Sequence, residues 1–189
     1  MGCRVLRQFS AGDGQLSVGS RILRGMSLRR GTDTVISRMD DVFVAVAYDI
    51  RTVAEDCSDL ITLRRLWHPG DDEAFEEDFR TWWERERRSR YAVVAYAADG
   101  APVGMANGQV FSRMPAPGHD KAQWMYGANI YVVDEHRRNG VARQLMLSLI
   151  EFAEANAMVR IVLAPSEMSV PLYRSFGFRT AHDLMRLDL

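Results

Sequence analysis

Two apolar runs, Tyr91 to Ala98 and Pro102 to Phe111, stand on either side of the pair Asp99-Gly100. A glycine that accepts positive φ between two runs of strand-forming residues turns the chain back on itself, so the pattern predicts an antiparallel hairpin. The flanking sequence alternates between the two hydrophobic periods. Tyr48 to Ala54 reads as a strand, and Asp56 to Trp67 as a helix whose apolar stripe is Leu60, Leu63 and Trp67. His68-Pro69-Gly70 stops that helix, and Asp71, Asp72 and Glu73 open a second one that carries Phe75, Phe79, Trp82 and Trp83 to about Arg88. Acids at its start and Arg85, Arg87 and Arg88 at its end suit the helix dipole. After a loop at 113–122 with Pro115, Pro117 and Gly118, Trp124 to Val133 predicts a strand. Asn139 to Asn156 predicts a helix with Leu145, Leu149, Phe152 and Ala153 on one face. Ile161 to Ala164 reads as a short buried strand, Val170 to Phe176 as a short helix ended by Gly177, and Phe178 to Leu187 as a last strand. The expectation is a single α/β domain over residues 48–189, with a mixed, mostly antiparallel sheet flanked by helices.

Composition narrows the class. The chain has 189 residues, 47% hydrophobic and 26% charged, which excludes disorder throughout and suits one self-sufficient core. A net charge of −1 offers no field that would gather nucleic acid or an anionic membrane. Cys3 and Cys57 form no C-x-x-C pair and no apolar run reaches membrane-spanning length, so a cytoplasmic protein is expected. The first 38 residues differ from the rest: Arg4, Arg7, Arg21, Arg24, Arg29, Arg30 and Arg38 face only Asp13 and Asp33, among scattered Gly and Ser. This segment is expected to be a flexible Arg-rich leader, joined by a connecting segment (39–47) to the folded domain.

Several common sites are missing from the text: no G-x-S-x-G elbow, no P-loop and no G-x-G-x-x-G. His68, His119, His136 and His182 are too scattered for a metal site. What remains is the junction Ile130-Tyr-Val-Val-Asp-Glu-His-Arg137-Arg138-Asn139-Gly140-Val141-Ala142, where a strand passes through a basic turn into a helix with small residues at its start. Backbone N–H groups at a helix N-terminus favour an anion, and the guanidinium groups of Arg137 and Arg138 can make forked contacts to phosphate oxygens. The same text also suits an ordinary strand-to-helix turn with solvated arginines. A second cluster, Pro171-Leu-Tyr173-Arg-Ser-Phe176-Gly177-Phe178, places one tyrosine in a short helix ended by a glycine turn.

Taken together, Arg137-x-x-Gly140-x-Ala142 after a hydrophobic strand and Leu172-Tyr173-x-x-x-Gly177-Phe178 about 30 residues later resemble the GNAT superfamily of N-acetyltransferases, over roughly Tyr48 to Leu189. The resemblance implies acetyl-CoA as acyl donor, its pyrophosphate on the backbone of Arg137, Arg138, Asn139, Gly140, Val141 and Ala142. It implies a pantetheine arm lying like an extra strand beside Ile130 to Val133, in a splayed gap between that strand and Ile161 to Ala164. It further implies that the N–H near Val132 bonds the thioester carbonyl and that Tyr173 protonates the departing thiolate. Two positions depart from the family pattern: Ser166 replaces a frequent Asn, and Asp134 a frequent Pro. Ser166 and Ser169 can still reach the donor through their hydroxyls, or serve as helix-start polar residues.

The acceptor side is less legible. Tyr126 and Asn129 could hold a water that deprotonates the amine, and Trp82 could stack on the acceptor. Asp71, Asp72, Glu73, Glu76, Glu77 and Asp78 could attract a small cationic amine, or simply solvate a helix start. The expected activity is acetylation of a primary amine by a monomer or homodimer. A peptide lysine or N-terminus as acceptor, and a non-catalytic acyl-CoA-binding module, are the alternatives. A chain starting at Met39 is expected to melt at the same temperature as the full chain. A melting temperature many degrees lower would mean that the leader belongs to the folded domain.

Overall fold

A computed structural model describes residues 48–118, 120, 122–181 and 184–187. The expected leader and connecting segment lie outside the described residues. Chain order runs β1 (Asp49–Thr52), α1 (Ser58–Trp67), α2 (Phe75–Glu86), β2 (Arg90–Tyr96), β3 (Pro102–Ser112), β4 (Gln123–Val132), α3 (Val141–Ala155), β5 (Ile161–Leu163) and α4 (Val170–Ser175). The strands form one 5-stranded sheet in the order β1-β2-β3-β4-β5. The first three pairings are antiparallel and the last is parallel, because α3 carries the chain back before β5 begins. The expected fold class holds.

The hairpin forms where the Asp-Gly pair stands, with a wider turn than two residues. Gly100 takes φ +84°, its N–H bonds the Ala97 carbonyl at 2.9 Å, and Asp99 Oδ1 accepts the Ala101 N–H at 3.0 Å. A register shift between Ala95 and Tyr96 absorbs the extra residues.

Both faces of the sheet are covered, which explains why β2 reads as a continuous apolar run. Val93 and Ala95 pack against α3, whose Val141, Leu145 and Leu149 recur one turn apart. Ala92 and Val94 face the other way, into a second cluster with Leu60, Leu63, Trp83, Met105 and Tyr131. Trp83 is satisfied there by donating its indole N–H to the Ala54 carbonyl at 3.1 Å. Among the described residues no helix is long and apolar enough to cross a membrane.

Two expected boundaries are corrected. The second helix begins at Phe75 because Asp72 turns the chain first, its carboxylate accepting the Ala74 N–H at 3.0 Å. Asp71, Asp72 and Glu73 therefore precede the helix and do not open it. The last strand, expected over Phe178 to Leu187, does not form among the described residues. With only three residues, β5 offers a short edge to pair with, and Leu184, Met185 and Leu187 stay exposed.

At Gly104 α3 lies close against the sheet. A Cβ there would stand 3.1 Å from Val141 Cγ1, 3.3 Å from Leu145 Cδ1 and 3.0 Å from the Tyr131 carbonyl oxygen. Overfilling such a contact costs about 1–3 kcal/mol, so Gly104→Val should lower stability by that amount in urea unfolding. Gly70→Ala, at a site with nothing within 4 Å, should leave the midpoint unchanged.

Candidate active site

The site begins with a mismatch in length between two paired strands. Asn107 pairs with Ala128 and Met105 with Tyr131, so two steps along β3 are matched by three along β4. The extra residue makes a bulge, and Asn129 adopts φ +53°, a left-handed conformation that asparagine tolerates better than most residues. A bulge bends and overtwists its strand. On the opposite edge, the β4–β5 ladder stops at Gly127 and Leu163, one residue before the bulge region. Beyond that point β4 has a strand partner on one side only.

Along an antiparallel strand the N–H and C=O groups of successive residues turn to alternate edges. The Val133 N–H bonds the Val103 carbonyl at 2.9 Å, toward β3, so Val132 faces the open edge. Arg137 Nε reaches the Val132 carbonyl from that open side at 3.0 Å. The Val132 N–H is left as a donor aimed into the gap.

The turn that follows places donors at the end of this gap. Arg138 takes φ +64° and Gly140 φ +83°, and the first bond of α3 runs from the Gln144 N–H to the Gly140 carbonyl at 3.1 Å. The N–H groups of Val141, Ala142 and Arg143 precede that bond and have no helical partner, and no side chain caps the helix. A Cβ on Gly140 would meet nothing within 4 Å, so the space over this terminus is open to a ligand. Arg137 is held in place by Asp134 at 2.6 Å as well as by the Val132 carbonyl.

Tyr173 closes the cleft from α4. The helix entry is fixed by the Ser169 hydroxyl donating to the Ser166 carbonyl at 2.8 Å, with the two hydroxyls 3.0 Å apart. Tyr173 is buried, edge-on to Phe178, and burial pushes its phenol above the usual tyrosine range while the Ser169 hydroxyl pulls weakly the other way. The phenol is therefore protonated at neutral pH. Together the open edge, the α3 terminus and α4 border a cleft of about 850 Å³.

Of the residues expected around the donor, Ile130, Val132, Arg137, Arg138, Gly140, Val141, Ala142, Ser166, Ser169 and Tyr173 border this cleft. Val133 and Asn139 do not. Val133 spends its N–H on β3 and packs toward the α1–α2 face, and Asn139 is exposed beside the turn. Trp67, Tyr131, His136, Arg143, Met168 and Leu172 also border the cleft, and the sequence assigned none of these side chains a role at the donor. His136 lies within the junction and Arg143 directly after it, so both were within reach of the same local signal. Trp67 comes from α1 and reaches the cleft by stacking on Tyr131, ring centroids 5.3 Å apart, which no local signal announces.

A second, smaller compartment of about 200 Å³ lies on the α1–α2 side, bordered by Leu60, Arg64, Phe75, Phe79, Trp82, Met105, Asn107 and Asn129. It adjoins the first at the bulge, where Asn129 belongs to one compartment and Ile130 to the other. Trp82 and Asn129 thus border the same compartment, whereas Tyr126 borders neither and is exposed at the sheet surface, apart from Asn129 with which it was expected to hold a water. The six acids also miss both compartments, and Glu76 is engaged with Arg80 at 2.8 Å.

Residues 55–178 match the acetyltransferase (GNAT) family, and with two thirds of its length so matched the chain belongs to that family. A curated relative, glucosamine 6-phosphate N-acetyltransferase of Trypanosoma brucei brucei, is 33% identical over 61 residues, 32% of this chain and 42% of that protein. The match thus spans less than half the length of that relative. Among solved structures, an acetyltransferase of Trypanosoma brucei superposes with a TM-score of 0.62 at 23% identity, over 76% of this chain and 100% of the other. A predicted acetyltransferase from Clostridium acetobutylicum, solved with acetyl-CoA, gives 0.60 at 16% identity over 75% and 96%.

Proposed function

We propose that this chain transfers an acetyl group from acetyl-CoA to the primary amine of a small molecule. The observation that carries the reading is the convergence on one cleft of the open β4 edge, the uncapped start of α3 and the Tyr173 phenol. The donor set suits the ligand. Free N–H groups, Arg138 and Arg143 match a pyrophosphate at a helix N-terminus, and a narrow strand edge matches an extended amide-bearing arm. When bound, acetyl-CoA supplies an activated thioester carbon for the amine to attack.

The chain's own groups then divide the work. Ile130 and Val132 present the edge that orients the donor, and the Val132 N–H bonds the oxygen on which negative charge develops. One preorganised donor of that kind contributes about 3–4 kcal/mol. Tyr173 gives its proton to the departing thiolate, a role that requires a phenol still protonated at working pH. Ser166 and Ser169 fix the α4 entry and lie within reach of the donor.

The small compartment is the acceptor site, with Phe75, Phe79 and Trp82 as its apolar wall. Its volume of about 200 Å³ favours a small molecule over an extended peptide. The relative named for glucosamine 6-phosphate supports the same choice. The attraction of a cationic amine by the acids near α2 loses its basis because none of them borders the compartment. The position of Tyr173 in the donor cleft favours turnover over a binding module that has lost its chemistry.

Acetyl-CoA at 100 times its dissociation constant should add about 2.7 kcal/mol of stability, visible as a rise in melting temperature. Gly140→Glu should abolish that rise, since it sets a carboxylate against the phosphates and a side chain at φ +83°. An undiminished rise would move the phosphate site elsewhere. Tyr173→Phe should keep the rise and lower turnover about 10- to 1000-fold. In the parent protein kcat should fall as pH climbs through the raised Tyr173 pKa, where the proton to be donated is lost, and the Phe variant should lack that alkaline limb.

A further inference from the structure

The acceptor compartment holds two polar features that no role assigned so far uses. Arg64, half-buried on α1, borders the compartment, lies over the Trp67 ring at 5.1 Å and reaches Asn129 Oδ1 at 3.5 Å. None of the ion pairs among the described residues involves it. Burial lowers its pKa from the ordinary arginine value, the mark of a charge that water no longer fully solvates. The second feature is Asn107, 6% exposed on β3, whose Oδ1 is buried without a hydrogen-bond partner. A buried amide oxygen left unpaired is costly, and half a turn about the last side-chain torsion exchanges the ends of the amide and offers either a donor or an acceptor to the space beside it.

An unpaired cation and an unpaired amide stand against a wall of three aromatic rings, and no carboxylate borders the compartment. We infer that the acceptor is an amine that carries an oxyanion, carboxylate or phosphate, on the same small molecule, with Arg64 pairing to the oxyanion and Asn107 to the amine or a neighbouring hydroxyl. A guanidinium with its remaining donors free takes either oxyanion as a fork, and the rings cover the carbon skeleton between the charged ends. A polyamine brings only positive charge toward Arg64 and is disfavoured. The assignment deepens the acetyl-transfer reading and rests on it for the fate of the amine, though the binding chemistry can be measured separately.

The test is calorimetry on the full chain in the presence of coenzyme A, with matched probes: glucosamine 6-phosphate against glucosamine, 4-aminobutyrate against butylamine, and spermidine. At least one anion-bearing probe should bind about 10- to 100-fold tighter than the counterpart that lacks the anion, the range of a charge-assisted hydrogen bond, and spermidine should bind weakest. Which pair shows the difference tells phosphate from carboxylate. Arg64→Gln should erase the difference and Arg64→Lys restore part of it. Asn107→Asp, which places a carboxylate in the compartment that Arg64 borders, should erase it without removing the cation. Retention of the coenzyme A melting shift shows that each variant is folded. Equal binding within both pairs, spermidine binding tightest, or a difference that survives both Arg64→Gln and Asn107→Asp would overturn the inference. Thiol release from acetyl-CoA is followed in parallel. Selective binding without release would sink the acetyl-transfer reading alone, and release without selectivity would sink the oxyanion inference alone.

Discussion

Everything at the site depends on the extra residue in β4. Had β3 and β4 stayed in step past Asn107, the ladder between β4 and β5 could have continued beyond Gly127 and Leu163, and the sheet would have closed over the space the cleft occupies. The bulge turns β4 aside at the point where β5 ends, and one irregular residue, Asn129, thereby borders the smaller compartment while its neighbour Ile130 borders the larger. A left-handed residue in mid-strand carries a conformational cost, and an asparagine lowers it. The separation of strands is therefore encoded in the backbone of β4 and not in bulky side chains wedging the sheet apart.

The second constraint is the seat of α3. The helix is pressed onto β3 through Gly104, and its apolar face is fully committed to the core. A helix anchored along its length holds its first turn still, so the free N–H groups of Val141, Ala142 and Arg143 are fixed relative to the β4 edge. The same packing that stabilises the domain thus sets the distance between the uncapped start of α3 and the strand edge. Tyr173 reaches the cleft from the opposite wall, steadied by Phe178 after the Gly177 turn.

Local signals made most of the lining of the larger cleft legible. A strand running into a basic turn, a glycine at a helix start and a tyrosine before a glycine turn are neighbours in sequence, so the junction and α4 could be read directly. Failures came where contacts are long-range. Val133 stands next to Val132, and only the ladder shows that their N–H groups face opposite edges. Tyr126 and Asn129 share a strand, and only the bulge decides that one turns to the surface and the other to a compartment. The acids near α2 are conspicuous in composition, yet the charge at the smaller compartment comes from Arg64, an unremarkable position in an amphipathic helix. Trp67 and Asn107 are likewise placed by tertiary packing alone. The last strand, which does not form among the described residues, fails for the same reason, since strand propensity requires an edge to pair with, and β5 supplies three residues.

An unpaired strand edge is also a hazard, because any extended chain can add to it. The stretch of β4 beyond Gly127 shows how the protein keeps such an edge available without leaving it adhesive. Arg137 occupies the Val132 carbonyl, so the edge has lost an acceptor but kept its donor. An intruding strand needs both in alternation and finds the ladder interrupted after one step, whereas a ligand that brings a single carbonyl needs only the donor. The arginine of the turn, by taking up that one carbonyl, thus interrupts the edge for an intruding strand while it leaves one donor open.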